Sequence, residues 1–295
     1  MKRITYGRAA AEQPVEIENL DTEALKQKIH SRLSDLDTMP FVYRKLLSLL
    51  NSPFVSARDL GKVISTDQSL SIRVLRMVNS AYYGVTQRVM SVTQAVSMLG
   101  LNVVRSLCFC LASYDSFFAG TGNDQAVHWK RAMGTGLVAK NLARLARQGC
   151  PEELFVAGML HDVGYSVLRK YAPREHTMLM ARLADAEDPL AAEREFLGTD
   201  HAEIGATTCE AWKLPEMLIE CVRYHHSPNK AGKHEKPAAL VALACSAWEG
   251  QEVNSLYLEL LDLTVEEVER AVAAAQDEFC EIGNYVGVGA NSRAS

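Results

Sequence analysis

One stretch constrains this chain more than any other: Leu154-Phe155-Val156-Ala157-Gly158-Met159-Leu160-His161-Asp162-Val163-Gly164-Tyr165-Ser166-Val167-Leu168. Its residues are apolar or small apart from one adjacent His-Asp pair. With Pro151-Glu152-Glu153 ahead of it, the regular structure that suits its length is a buried helix. A carboxylate inside such a helix needs compensation, because an unpaired buried charge costs several kcal/mol even after relaxation. Asp162 must therefore meet a metal, a cation or several hydrogen-bond donors, and the search for that partner decides the function.

The 295 residues, 48% hydrophobic and 23% charged, can bury a substantial core in one large or two modest domains. A formal net charge of -5 gives no overall attraction for phosphate backbones or anionic lipid. No stretch reads as a signal peptide or an uninterrupted membrane span, which places the chain in the cytoplasm. Seven cysteines, Cys108, Cys110, Cys150, Cys209, Cys221, Cys245 and Cys280, are odd in number and lack a paired CxxC arrangement, so they read as reduced core thiols.

Taken in order, residues 1–20 form a loose arm interrupted by Pro14. A helix begins at Asp21 or Thr22, and short amphipathic helices follow over Val42–Leu50, Ala57–Ser65, Ser69–Tyr83, Val92–Leu99 and Asn102–Phe118. Asn51-Ser52-Pro53, Thr66-Asp67, Gly84 and Gly100 supply the breaks. Residues 21–118 thus make a first helical lobe, and Met77, Met90 and Met98 read as gap-fillers in its core. Residues 119–124, Ala-Gly-Thr-Gly-Asn-Asp, read as a linker. A second lobe over 119–250 holds a long helix from about Gln125 to Arg147, the His-Asp helix, and a polar region from Arg174 to Phe196 broken near Asp188-Pro189. Further helices run from Thr199-Asp200 to Trp212, from Leu214-Pro215 to His225-His226, and from Pro237 to near Gly250. Residues 251–295 hold a last helix, Val265–Phe279 with Thr264 as cap, and a tail. The fold class is all-α, a multi-helix bundle of two packed lobes.

Three histidines stand beside His161 and Asp162 as candidates. His201 lies in the first turn of a helix behind Asp200, and His225 and His226 end the next helix. Imidazole nitrogens and a carboxylate suit zinc, manganese or iron, and a helical bundle can aim them at one point. Singly, each histidine reads as a polar residue at a helix end; the buried His-Asp pair changes that weighting. In the first lobe, Ala57–Ile64 followed by Ser69–Leu75 has the outline of a helix-turn-helix with Arg73 and Arg76 toward a groove. The acidic balance and the lack of a basic stripe favour two packed bundle helices instead.

The run Ala157-Gly158-Met159-Leu160-His161-Asp162-Val163-Gly164 is followed by Gly198-Thr199-Asp200-His201-Ala202-Glu203-Ile204-Gly205-Ala206, Trp212-Lys213-Leu214-Pro215-Glu216 and His225-His226. Together these resemble the HDOD family, a branch of the HD-domain superfamily. Met39-Pro40, Ile64-Ser65-Thr66-Asp67-Gln68-Ser69-Leu70, Val78-Asn79-Ser80-Ala81-Tyr82-Tyr83-Gly84 and Ala95-Val96-Ser97-Met98-Leu99-Gly100 are similar to its amino-terminal signatures. The match spans roughly residues 36–250 and implies an all-α fold, an HD-like second lobe and a bacterial regulatory role. Catalytic HD relatives are metal-dependent phosphohydrolases of nucleotides or cyclic dinucleotides.

Against those relatives two ligand positions differ. They carry a histidine after the tryptophan of the preceding helix, where Trp129 is followed here by Lys130 and Arg131, with His128 on the other side. They carry an aspartate on a later helix, where Cys245 falls. Asp162, His201, His225 and His226 resemble the second half of the binuclear site of the HD-GYP branch, without its Gly-Tyr-Pro signature. Arg131 can compensate Asp162 if its helix packs against the His-Asp helix, pairing bidentately and repelling a second metal. No catalytic residue is assigned. The reading that results is a regulatory module acting through a signalling protein partner or a small ligand such as a nucleotide. Its pocket is either empty, holds one divalent metal (iron, manganese, zinc or nickel), or binds a ligand. A phosphohydrolase is the second reading and a nucleic-acid-binding regulator the third.

Overall fold

The computed structural model describes residues 55–79, 83–113 and 123–286, with isolated positions 27, 31, 42, 45, 46 and 49 ahead of them. The expected arm, the helix from Asp21, Met39-Pro40, Asn51-Ser52-Pro53, Ser80-Ala81-Tyr82, most of the 119–124 linker and the tail lie outside the described residues. Among the described residues there is no strand. The helices are α1 Ala57–Ser65, α2 Gln68–Val78, α3 Val92–Leu99, α4 Leu101–Ser113, α5 Asn123–Leu145, α6 Pro151–Leu160 and α7 Val163–Tyr171. They continue with α8 Pro173–Leu183, α9 Pro189–Leu197, α10 His201–Ala211, α11 Glu216–Tyr224, α12 Glu235–Trp248, α13 Ser255–Leu261 and α14 Val265–Val286.

Local chemistry sets most boundaries. Ser56 and Asp59 close a capping box on α1, and Asp67 accepts from the Leu70 amide at 2.9 Å to start α2. Thr264 and Glu267 cap α14 reciprocally. The α2 helix stops at Asn79, earlier than the expected Tyr83, and Gly84 is not its cap. The Asn79 amide bonds Leu75 O at 2.7 Å and Val89 O at 2.8 Å, and its Oδ1 accepts from Val89 N at 2.7 Å. It thereby ties the helix end to the following loop.

One continuous apolar core runs from Leu46 through Ala275, shared by the helices before and after residue 119. Helix α5 is its axis, packing against α6, α12 and α14. Glycines allow the closest approaches. A Cβ on Gly158 of α6 would lie 2.7 Å from Gly136 Cα of α5, and one on Gly134 would lie 1.8 Å from Trp248 Cε2. Gly134→Ala therefore displaces the Trp248 indole at a cost of about 1–3 kcal/mol. Urea unfolding monitored by tryptophan fluorescence should show both the lower midpoint and an altered native emission.

Met77 is buried as expected, but Met90 is 69% and Met98 41% exposed, so neither fills a core gap. Cys108, Cys209, Cys221 and Cys245 are buried, Cys150 is half-buried and Cys280 exposed, and all six are free thiols. The helix expected over 154–168 is two helices. It breaks at Asp162, whose φ of -103° and ψ of 17° turn the chain from α6 into α7. Neighbours on a continuous helix diverge by about 100°; the turn lets His161 and Asp162 face one point.

Candidate metal centre

The pocket forms where the α6–α7 turn meets the start of α10, the end of α11 and one face of α5. His161 and Asp162 come from the turn, His201 opens α10, and His225 and His226 follow the last residue of α11. The first four are buried, and His226 stands at the exposed rim. His225 and His226 Nε2 lie 3.3 and 3.1 Å from His201 Nε2. His201, His225 and His226 each offer a nitrogen within 4.8 Å of the others, a group that could hold a metal ion.

The second ring nitrogens explain the aim. His161 Nδ1 lies 2.7 Å from Gly158 O, His225 Nδ1 2.8 Å from Val222 O, and His201 Nδ1 2.7 Å from Glu193 Oε2. Each partner is an acceptor, which fixes the proton on Nδ1 and turns the Nε2 lone pair inward, the usual arrangement for metal-bound histidine. Asp162 Oδ1 stands 3.2 Å from His201 Nε2 and 3.8 Å from His225 Nε2, and Oδ2 stands 3.2 Å from His161 Nε2. Asp162 Oδ1 and His161 Nε2 are buried without a hydrogen bond of good geometry. Buried polar atoms rarely stay so unless an ion or water completes them. The donor set therefore fits a transition metal.

Arg131 lies on the opposite side of Asp162. Its Nε is 2.8 Å from Asp162 Oδ2 and 2.7 Å from Glu249 Oε1, while Nη2 is 3.6 Å from Cys245 Sγ. The guanidinium thus divides its edge between two carboxylates instead of forking wholly onto Asp162. Burial pushes the Asp162 carboxyl up, but Arg131 and His161 outweigh it and hold the group well below the usual carboxylate range. Burial pushes His161 toward the neutral form, but Asp162 beside it holds it at about 10, so a metal on Nε2 would have to displace a proton there. Burial and the neighbouring rings keep His225 well below 6.5.

His128 is not one of the converging histidines. It is buried with its ring 5.9 Å from Tyr165 and 6.2 Å from His176, and burial lowers its pKa to about 4. A histidine buried neutral contributes stability that is complete above its ordinary 6.5 and is lost as pH falls from there toward 4. That depression corresponds to about 3 kcal/mol. Unfolding free energies at pH 7 and 4 should therefore fall less in His128→Gln than in wild type, by up to that amount.

Three contributors were not singled out in the sequence: Glu193, Tyr165 and Glu249. Glu193 lies eight residues before His201 and Glu249 four after Cys245, and neither spacing marks them. Tyr165, one helical turn beyond Asp162, is the one with a positional signal. Outside the cluster, a cavity of about 100 Å³ opens beside His226, with Lys230 on its edge. Arg194 and Arg223 line it too, but Arg194 pairs with Asp200 at 2.8 Å and Arg223 with Glu210 at 2.7 Å.

An all-helical bundle built around this His-Asp turn defines a protein of the HD type. The HDOD domain model matches residues 36–228, and the chain belongs to the HDOD family. A solved candidate phosphohydrolase from Shewanella amazonensis SB2B is 25% identical with a TM-score of 0.72, over 88% of this chain and 98% of its own. An HDOD domain protein of unknown function from Geobacter sulfurreducens is 24% identical with a TM-score of 0.71, over 92% and 100%. An uncharacterized Treponema pallidum protein is 27% identical over 235 residues, 79% of this chain and 45% of its own length. YuxH of Bacillus subtilis, also uncharacterized, is 26% identical over 125 residues, 42% of this chain and 30% of its own. The chain thus spans less than half the length of each of these curated relatives. No described helix is long and apolar enough to cross a membrane.

Proposed function

We propose that this chain is a non-hydrolytic regulatory HDOD module of the bacterial cytoplasm, whose pocket keeps one half of an HD metal site. Asp162, His201, His225 and His226, with His161 behind them, hold a single divalent metal: iron, manganese, zinc or nickel. Arg131 stands in for the other half. The observation that carries this reading is the Arg131 guanidinium 2.8 Å from Asp162, where a permanent cation neutralises the carboxylate and repels a second metal. A bound metal would lower the pKa of a coordinated water and neutralise charge on phosphate oxygens. Around it, the arginines facing the adjacent cavity are already paired with carboxylates, which leaves them poorly disposed to clamp a phosphate. The output is contact with a signalling protein, or the binding of a small ligand such as a nucleotide.

The competing reading is a metal-dependent phosphohydrolase of a nucleotide or cyclic dinucleotide. The converging Nε2 atoms and the likeness to the Shewanella candidate phosphohydrolase favour it. Nucleic-acid binding has less support: Arg73 is half-buried on α2 and the chain is acidic.

Protein loaded in turn with the four metals should hydrolyse neither bis(p-nitrophenyl) phosphate nor cyclic dinucleotides above the Asp162→Ala background. The pair Arg131→His with Cys245→Asp should take up a second metal. Turnover by wild type that Asp162→Ala abolishes would establish the enzyme reading instead.

A further inference from the structure

Glu193 is a carboxylate with no exposure at all, on α9. It accepts from the His201 amide at 2.7 Å, and its Oε2 and Oε1 lie 2.7 and 2.9 Å from His201 Nδ1. The Tyr165 hydroxyl donates to the same carboxylate. The Tyr165 ring stacks on His201, centroids 4.3 Å apart and planes 14° from parallel. Helix capping does not require this arrangement, since Asp200 already caps α10 by accepting from the Glu203 amide at 2.9 Å.

We infer that Glu193, braced by Tyr165, is a positioning residue that locks His201 with its proton on Nδ1 and makes its Nε2 the strongest nitrogen donor of the metal pocket. The inference rests on the half-site reading above. His161 and His225 offer a comparison within the same pocket, for their Nδ1 atoms face neutral carbonyls, Gly158 O and Val222 O. A carboxylate acceptor makes a charge-assisted bond roughly twice as strong as a neutral one, and it raises the basicity of the far nitrogen. Tyr165 ties this brace to the ligand turn, because it follows Asp162 by three residues on α7 while Glu193 comes from α9.

Zinc titration of the full chain against a competing chelator tests this. Glu193→Gln, which keeps one acceptor oxygen, should weaken zinc binding about 10-fold and Glu193→Ala up to about 100-fold, as outer-sphere losses do. Tyr165→Phe, which removes only the hydroxyl, should weaken it less and in the same direction. In ¹⁵N–¹H spectra of the zinc-loaded wild type, the His201 Nδ1–H resonance should stand downfield of those of His161 and His225. It should move toward them in Glu193→Gln while helix content is unchanged, a shift that a purely structural role would not produce. Wild type that binds zinc, with Glu193→Gln within about two-fold of it against that expected loss, would overturn this inference alone. Wild type that binds no zinc would overturn the half-site reading and this inference with it.

Discussion

Arg131→Ala should be the most destabilising single change at the pocket, costing about 3–5 kcal/mol in urea unfolding of chelator-treated protein, because it leaves two buried carboxylates without their cation. Asp162 and Glu249 both contact Arg131 Nε, and both are largely buried. The deficit should also depend on pH with a defined sign. Burial already raises the Glu249 pKa against the pull of Arg131, and loss of the guanidinium raises it further. A carboxyl whose folded pKa lies above its unfolded one contributes stability below the unfolded value and loses it as pH rises through the folded one. The deficit of Arg131→Ala should therefore be smaller at pH 5 than at pH 8. Equal deficits at the two pH values would show that packing of the arginine stem, and not its charge, is what matters.

Gly164→Ala should have the second large effect. A Cβ there would lie 2.0 Å from His201 O and 2.8 Å from His201 C, both backbone atoms that cannot rotate away. In an unhindered helix the same change gains about 1 kcal/mol. Here α7 and α10 must separate, at a cost of about 3 kcal/mol as overpacking strain. His201 moves with α10, so metal binding should fail together with stability. Denaturant unfolding and a zinc titration on one preparation check both; a variant of undiminished stability that binds metal normally would contradict the contact.

The helical class of this chain was legible because apolar residues recur at helical spacing and capping residues sit at most boundaries. Arg131 was found from the ligand position it takes in the resemblance to the HDOD family, whereas the gathering of Asp162 with histidines from later helices was legible for a different reason. An unpaired carboxylate in an apolar run demands partners, and few candidates exist. The break at Asp162 was not legible, since the flanking residues are uniformly apolar and the turn is set by packing of α7 on α10. Glu193 and Glu249 were hidden because a fully buried glutamate and a surface one look alike in sequence until its partners are placed. Met90 and Met98 were misread for the converse reason, as residue type does not say which side of a short helix or loop meets the core. Helix α13, Ser255–Leu261, was missed although Asn254 caps it by accepting from the Leu256 amide at 2.9 Å. Seven residues with an exposed leucine carry too little periodicity to stand out.

The half-site is tested most directly by elemental analysis of wild type, Asp162→Ala and His201→Ala, each purified with neither added metal nor chelator. One equivalent of a transition metal per chain in wild type, lost in both variants, is the expected result. Two equivalents in wild type, none at all, or retention in Asp162→Ala would contradict a single metal held opposite Arg131.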